Sequence, residues 1–596
     1  MIRVADLIAN YIHDTLGVKH VFAVTGAGIM HLTDGLASHP SIETIFPHHE
    51  QSSSMAVDVY SRYSGKIGVS MYSTGPAATN AITGLAGCWQ DSVASLFISG
   101  QVKRSESSRY SGYSKTRQLG VQELDIIPLV ESITKYCNQI TEPNMVLFEL
   151  QKATYMATQG RPGPVWLEVP LDVQASNVRV ENLQQFSPPP AKEMTGQEAT
   201  FDRILELLES SKKPVIIAGQ GCRLAGVSDE LNKLAEDLDI PIVTSYLGVD
   251  LTPSSSTSAM GVIGIKGSRL GNLAAHYADF LLVLGSSMHI SVIGYEYSKF
   301  SPNSVKALVD IDLSAHEKNA VNFDEMVEAN LADFLGYWLE GRTRKSPSWS
   351  KWLEALNELR PELSIEAETT RNKDESNIYN FVGALNTFLQ KGDCVIADAG
   401  SAFYAVSQAL QIPSSGVRYI PSGAMATMGF SIPASLGAWF GGADRVIAVT
   451  GDGSFHQNLQ ELSLISALRP NIKVVVLNND GYLSIRNSQR NFFGGREIGT
   501  DCSNGVALTD IGKLSSAYSL QHVLIDGNIR ASGLGPALID KGPLVIEVTC
   551  PRDEKIIPTL SSKLMPDGTM VSPGLDDMAP HLEAHLRSRI SRMLGP

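Results

Sequence analysis

A chain of 596 residues is too long for a single hydrophobic core, and roughly three or four domains are expected of it. With 43% hydrophobic and 18% charged residues it is too apolar for disorder. A formal net charge of −14 with no Lys/Arg-rich run speaks against a nucleic-acid partner.

The opening MIRVADLIANYIHDTLGV places apolar residues at helical spacing, interrupted by Asp6, Asn10, His13 and Asp14, which predicts an amphipathic helix and not a signal peptide. No apolar run reaches the length of a membrane span, so no membrane is expected and a cytoplasmic protein is. Six scattered cysteines, without a CxxC pair, read as reduced thiols and not as a metal or iron–sulfur site.

Residues 1–180 alternate short apolar strands with helical stretches: VFAVTG, ETIFPHHE, IGVSMYSTG, SLFISGQ and PVWLEVP. The Pro-rich stretch 188–198 reads as a linker. A second series, 195–345, has PVIIAGQG, IPIVTSY, ADFLLVLGSS and VKALVDID as strands. After a charged connector, a third series over 370–555 offers CVIADAG, RVIAVTGDG, IKVVVLNND, HVLIDG and PLVIEVT, and a tail of 556–596 is expected to be an ordered loop and a short helix. The fold class is therefore α/β: three doubly wound parallel-sheet domains, which bind ligands at the carboxyl ends of their strands.

The strongest chemical signal lies in AVTGDGSFHQNLQELSLISALRPNIKVVVLNNDGYLSI. A strand runs into Gly451-Asp452-Gly453 and a second ends in Asn478-Asn479. The glycines allow a tight turn and close approach of a phosphate, and Asp452 and Asn479 at neighbouring strand ends offer hard oxygens to one Mg²⁺ ion that shares a diphosphate. Each motif alone would be an ordinary turn. Together, with Asn479 at 27 positions beyond Asp452, they resemble the signature of thiamine-diphosphate enzymes.

That resemblance implies the metal ligands Asp452, Asn479 and the carbonyl of Gly481, with Gly451, Gly453, Ser454, Tyr482 and Leu483 around the diphosphate. Thiamine diphosphate needs a carboxylic acid beside its pyrimidine, and PHHEQSSSMAVDVYSRYSGKIGV resembles the family segment with Glu50 at that position. A lone glutamate opening a helix is otherwise an ordinary cap favoured by the helix dipole. Its surroundings, Gly26-Ala27-Gly28 and the run Ser73 to Asn80, resemble the pyrimidine-binding domain of acetolactate synthase, and GAMATMGFSIPASLGA puts Met428 where a bulky apolar side chain supports the bent cofactor. The domains are then pyrimidine-binding, central and diphosphate-binding. The resemblance further implies a homodimer or homotetramer with active sites at the subunit interface.

Within the acetolactate synthase family the resemblance covers nearly the whole chain. It is nearest to members of surface-polysaccharide and nucleotide-sugar pathways. Gln122 of RQLGVQELD falls on an active-site loop. FAD is a family cofactor, but LGSSMHISVIGYEY lacks the arginine that would meet its diphosphate, which argues against FAD here. The tryptophan that follows the metal loop in the family is absent, and Arg486, Asn487, Ser488 and Gln489 suggest a polar acceptor wall, with Arg486 as an acceptor contact. Leu171 stands in place of a family lysine. The expected activity is decarboxylation of a 2-oxo acid, pyruvate first, and transfer of the acyl carbanion to an aldehyde or ketone. The alternatives are a simple decarboxylase, disfavoured because SSRYSGYSKTRQ has no histidine, acetyl transfer to a keto-sugar nucleotide, and a degenerate binding protein.

Overall fold

A computed structural model describes the chain apart from residues 114, 191–195, 319, 342–347, 371–377, 415, 528, 530–532 and 596. Parts of the expected linker and connector fall outside the described residues. Three six-stranded sheets, every pairing in them parallel, account for the architecture. In the first sheet the order across is Glu43–Ile45, His20–Val24, Gly68–Tyr72, Ser95–Gln101, Pro164–Pro170, Tyr136–Gln139. The third sheet repeats this order with Arg418–Pro421, Asp393–Ala397, Arg445–Gly451, Ile472–Asn478, Leu544–Thr549 and Gln521–Ile525. The middle sheet starts from Ala259–Val262 and runs through Ile242–Thr244, Pro214–Ala218, Phe280–Leu284 and Val305–Asp310 to Glu325–Glu328, the order of dinucleotide-binding folds.

Every strand read from the sequence is present. Within the six-stranded sheets the described residues add four strands that the sequence did not announce, Tyr136–Gln139, Ala259–Val262, Glu325–Glu328 and Arg418–Pro421, and all four are sheet edges. An edge strand is wetted on one side and needs no continuous apolar run, so its pattern is weak. The opening helix is also present, as Val4–Asn10 continuing through Tyr11–Thr15. No helix among the described residues is long and apolar enough to cross a membrane.

First and third domains share one core. Helix Glu50–Ser64 lies along Ser431–Phe440, and Gly437 makes the approach feasible, because a Cβ there would sit 2.0 Å from the carbonyl oxygen of Ala56. The middle domain has its own core, to which the tail adds Leu560, Leu575, Leu582, Leu586, Ile590 and Leu594. The tail ends in the helix Ala584–Leu594 and is fastened where buried Arg269 pairs with Glu368 at 2.6 Å and donates to the carbonyls of Met578 and Pro580.

Between the first and third domains lies a buried charge cluster. Asp58 and Asp91 flank Arg62 at 3.6 and 3.7 Å. Burial pushes the Asp58 carboxyl up to about 7, Arg62 pulls it back, and Asp91 adds to the rise. Its folded pKa thus exceeds its unfolded value, so its contribution to stability is complete below about pH 4 and is lost as pH rises towards 7. Asp58→Asn is expected to flatten that part of the profile. Thermal unfolding midpoints from pH 4 to 8 should fall less for the variant than for the parent, and parallel curves would contradict the assignment.

Candidate active site

In the first domain, the strand His20–Val24 is followed by Gly26-Ala27-Gly28, and a serine from the neighbouring strand end seals the turn. A Cβ at Gly26 would lie 2.4 Å from Ser73 Oγ, and Gly28 N–H donates to the same oxygen at 3.2 Å. Glu50 is the first residue of helix Glu50–Ser64, whose cap is the side chain of His49 accepting from Gln51 N–H. Asn80 Nδ2 donates to Glu50 Oε2 at 2.9 Å. These two side chains stand on the surface of the domain.

The Gln122 loop leans on this motif. Gly75, at φ +62°, has no room for a Cβ, which would be 2.1 Å from the carbonyl oxygen of Gln122. Gln122 itself is exposed and held at φ +60°. Two residues that sequence reasoning did not assign hold the loop: Glu123 accepts from the N–H groups of Ser108, Leu119 and Gly120, and Gln101 Nε2 donates to Leu124 O at 2.8 Å. Gln101 also donates to Glu168, a carboxyl that burial raises to about 8.

The third domain carries the other cluster. Gly451 and Leu477 are register partners, so Asp452 and Asn479 emerge at adjacent strand ends. The Asp452 carboxylate is aimed by two backbone donors, Gly453 N–H to Oδ1 and Gly481 N–H to Oδ2, both at 2.7 Å. It is 4% exposed, and burial lifts its pKa to about 6 against those hydrogen bonds. Asn479 is 6% exposed, and its Oδ1 has no hydrogen-bond partner. A buried acceptor without a donor costs about 1–3 kcal/mol, which a cation at that point would offset.

Backbone and side chains complete the cradle. Gly481 sits at φ +123° with a Cβ position 2.0 Å from Thr500 O, and the Tyr482 ring occupies the space beside Gly453. Leu483 opens the helix Leu483–Phe492, and Ser454 lies in the short helix Asp452–Phe455. Sequence reasoning missed Gly400 and Ser401, which open the helix Gly400–Ala409: Ser401 Oγ is 3.4 Å from Ser484 Oγ, so two helix N-termini meet at this spot. Such ends suit an anionic group. The signal was a strand ending in DAG before a serine, too common to read alone.

Met428 is half-buried, its Sδ accepting from Gln457 Nε2 at 3.7 Å. Asn458 ties its loop to the first domain, donating to Gly429 O at 2.8 Å and accepting from Ser52 Oγ at 3.2 Å, two residues from Glu50. Among the described residues no hydrogen bond or ion pair joins Glu50 to the Asp452–Asn479 pair within one chain.

Three family models match the chain in order: the thiamine pyrophosphate enzyme N-terminal TPP binding domain over residues 2–129, its central domain over 201–336, and its C-terminal TPP binding domain over 398–548. The chain belongs to the thiamine pyrophosphate enzymes. It is 30% identical to the acetolactate synthase large subunit of Lactococcus lactis, with 93% of each chain covered. It is also 30% identical to the isozyme 3 large subunit of Escherichia coli, covering 87% and 89%, and 26% identical to the chloroplastic acetolactate synthase of Arabidopsis thaliana, covering 94% and 83%. Like them in extent, this thiamine pyrophosphate enzyme is a carboligase of the acetolactate synthase type.

One expectation is corrected. Arg486 is not an acceptor contact: it is fully buried and donates to the carbonyls of Asp480, Asn479 and Arg552 at 2.9, 2.9 and 2.7 Å, with Asp501 3.5 Å away. It is a strut beneath the Asn479–Gly481 turn. The polar wall dissolves with it, since Asn487 donates to Glu554 O, Ser488 to Ser484 O, and Gln489 uses both ends of its amide on the backbone of Ile498. Of the four only Arg486 is buried; Ser488 is exposed, Asn487 and Gln489 are partly so, and Ile485 beside them is half exposed.

A second cavity, of about 660 Å³, lies at the carboxyl ends of the middle-domain strands and is walled by Gly221, Ser286, Asp310 and Asn330. Gly221 permits its narrow floor, where a Cβ would sit 2.6 Å from Gly285 Cα. Arg161, from the first domain, also lines it, donating to Ser92 Oγ at 2.7 Å.

Replacing Arg486 by Ala should destabilise the enzyme by about 3–5 kcal/mol, the usual cost of removing one member of a buried charged network. Chemical denaturation would reveal it. A variant of unchanged stability with only a raised half-saturating acceptor concentration would restore the substrate role.

Proposed function

We propose that the Asp452 carboxylate, Asn479 Oδ1 and the Gly481 carbonyl hold Mg²⁺, and through it the diphosphate of thiamine diphosphate, with Glu50 acting on the pyrimidine and pyruvate as the donor. The observation that carries this reading is the partnerless, buried Asn479 Oδ1 beside a carboxylate aimed by two backbone N–H groups. When bound, the cofactor supplies an electron sink for the carbanion left by decarboxylation. The chain's residues do the rest. Glu50, with one oxygen taken by Asn80, keeps the other to hold or move a proton at the pyrimidine nitrogen. Met428 supports the cofactor from the third domain, the helix ends at Gly400 and Leu483 face the diphosphate, and Gln122 meets substrate.

The family resemblance supports a complete site formed between two copies, as a homodimer or homotetramer. Exposed Ser488 and half-exposed Ile485 give this helix both a hydroxyl and an apolar side chain, and with no tryptophan beside them we favour a carbonyl acceptor, a keto-sugar included, over release of a simple aldehyde.

The middle cavity fits a dinucleotide in volume and position, and FAD is the proposed occupant. LGSSMHISVIGYEY holds no arginine, but Arg161 lines the cavity from the first domain, 3.5 Å from its ion-pair partner Asp312. Freshly purified enzyme should show flavin absorbance, and a colourless preparation releasing no nucleotide on denaturation would overturn this assignment.

Glu50→Gln should lower turnover with pyruvate by about 10²–10⁴-fold, the range for loss of general acid–base catalysis, while thiamine diphosphate affinity stays near the parent value. Steady-state rates and a binding titration test both, and undiminished turnover would refute the role of Glu50.

A further inference from the structure

The loop 422–429, which carries Met428, holds a backbone that needs outside support. Gly423, Ala426 and Gly429 have φ values of +72°, +48° and +77°, and the alanine at such an angle persists only where its surroundings impose it. At the far end the support comes from the third domain itself: Asp398, fully buried, accepts from Gly429 N–H at 3.1 Å and Ser431 N–H at 2.9 Å.

At the near end it comes from a different domain. Asp91, the residue after helix Ile82–Gln90 and 3% exposed, accepts the N–H of Ala424 on Oδ1 at 2.9 Å. Its Oδ2 has no hydrogen-bond partner and is packed so closely on Gly423 that a Cβ there would lie 1.5 Å away. Arg62 stands 3.7 Å from that oxygen and donates to Pro421 O at 3.0 Å, immediately before the loop. Asp91 and Ser92 also border the middle cavity, together with Gly423, Ala424 and Ala426.

We propose that Asp91 is a positioning residue for the thiamine reaction: a first-domain carboxylate that clamps the third-domain loop, and so sets where Met428 meets the cofactor. The proposal rests on the reading of Met428 given above. A loop released at Ala424 can sample other arrangements, and the fraction poised for the cofactor, and with it the apparent affinity, falls.

The test uses full-length Asp91→Asn and Gly423→Ala, the second of which drives a methyl into the same carboxylate from the loop's side. Both are titrated with thiamine diphosphate at saturating Mg²⁺. Half-saturation is expected to rise on the order of tenfold, the scale of exchanging a charged acceptor for a neutral one, and the unfolding midpoints of the cofactor-free proteins, which the altered charge cluster and the strained backbone at Gly423 will lower, are measured alongside so that affinity is read on folded protein. Asp58→Asn, which alters the other carboxylate on Arg62 but touches no loop atom, should keep the parent affinity. Parent-like affinity in Asp91→Asn or Gly423→Ala overturns the clamp, as does an equal loss in Asp58→Asn. If neither loop variant folds, amide exchange in the parent decides: Ala424 N–H must be protected without cofactor, and fast exchange there overturns the proposal. Failure of the parent to bind thiamine diphosphate would instead count against the proposed function, while amide exchange still judges the clamp.

Discussion

A carboxylate and a carboxamide at neighbouring strand ends, both shut away from water, set the conditions for the rest of this enzyme. Parallel pairing of Arg445–Gly451 with Ile472–Asn478 makes Asp452 and Asn479 neighbours; two backbone N–H groups hold the carboxylate, and the Asn479 oxygen has no hydrogen-bond partner. Such an arrangement is unfavourable by itself, since burial raises the carboxyl and leaves an acceptor unmet. Under the proposed function a cation and an anionic ligand relieve that cost. Arg486 and the glycine at 481 are the scaffold that keeps the turn in this shape.

The two outer domains share a strand order and a core, yet contribute different chemistry. The first presents an acid at the head of a helix, fixed by its cap and by Asn80, while the third presents oxygens and helix N-termini. Gly437 lets helix Ser431–Phe440 seat against helix Glu50–Ser64, and the buried Asp58–Arg62–Asp91 cluster crosses the same boundary. Small side chains give proximity there, and a paired charge cluster gives register.

The middle domain stands apart in its core but not in its cavity. Walls drawn from all three domains surround that space, and the loop bearing Met428 forms part of it. The tail, seated on the middle domain through buried leucines and Arg269, closes the outer side of this unit. Ligand space at a strand-end crevice is what a doubly wound sheet provides.

Much of this was legible in the chain. Interior strands announce themselves by continuous apolar runs, and the contiguous GDG and NND motifs put Asp452 and Asn479 at neighbouring strand ends, whereas Glu50 and Gly481 were assigned through family resemblance. Four of the six edge strands were not legible, because an edge strand has a neighbour on one side only and no long apolar run marks these four. Nor was the fate of Arg486 to Gln489, since whether a polar side chain faces a substrate or its own backbone depends on helix phase and on carbonyls from residues far along the chain, Arg552 and Glu554 among them. Sequence by itself determined the class of chemistry, which resides in local groups of residues. Only the tertiary structure decided which charges are spent on the scaffold, where Arg161 and Asp91 reach across domain boundaries, and which acceptor is left without a partner, because those outcomes depend on distances between segments that no local pattern encodes.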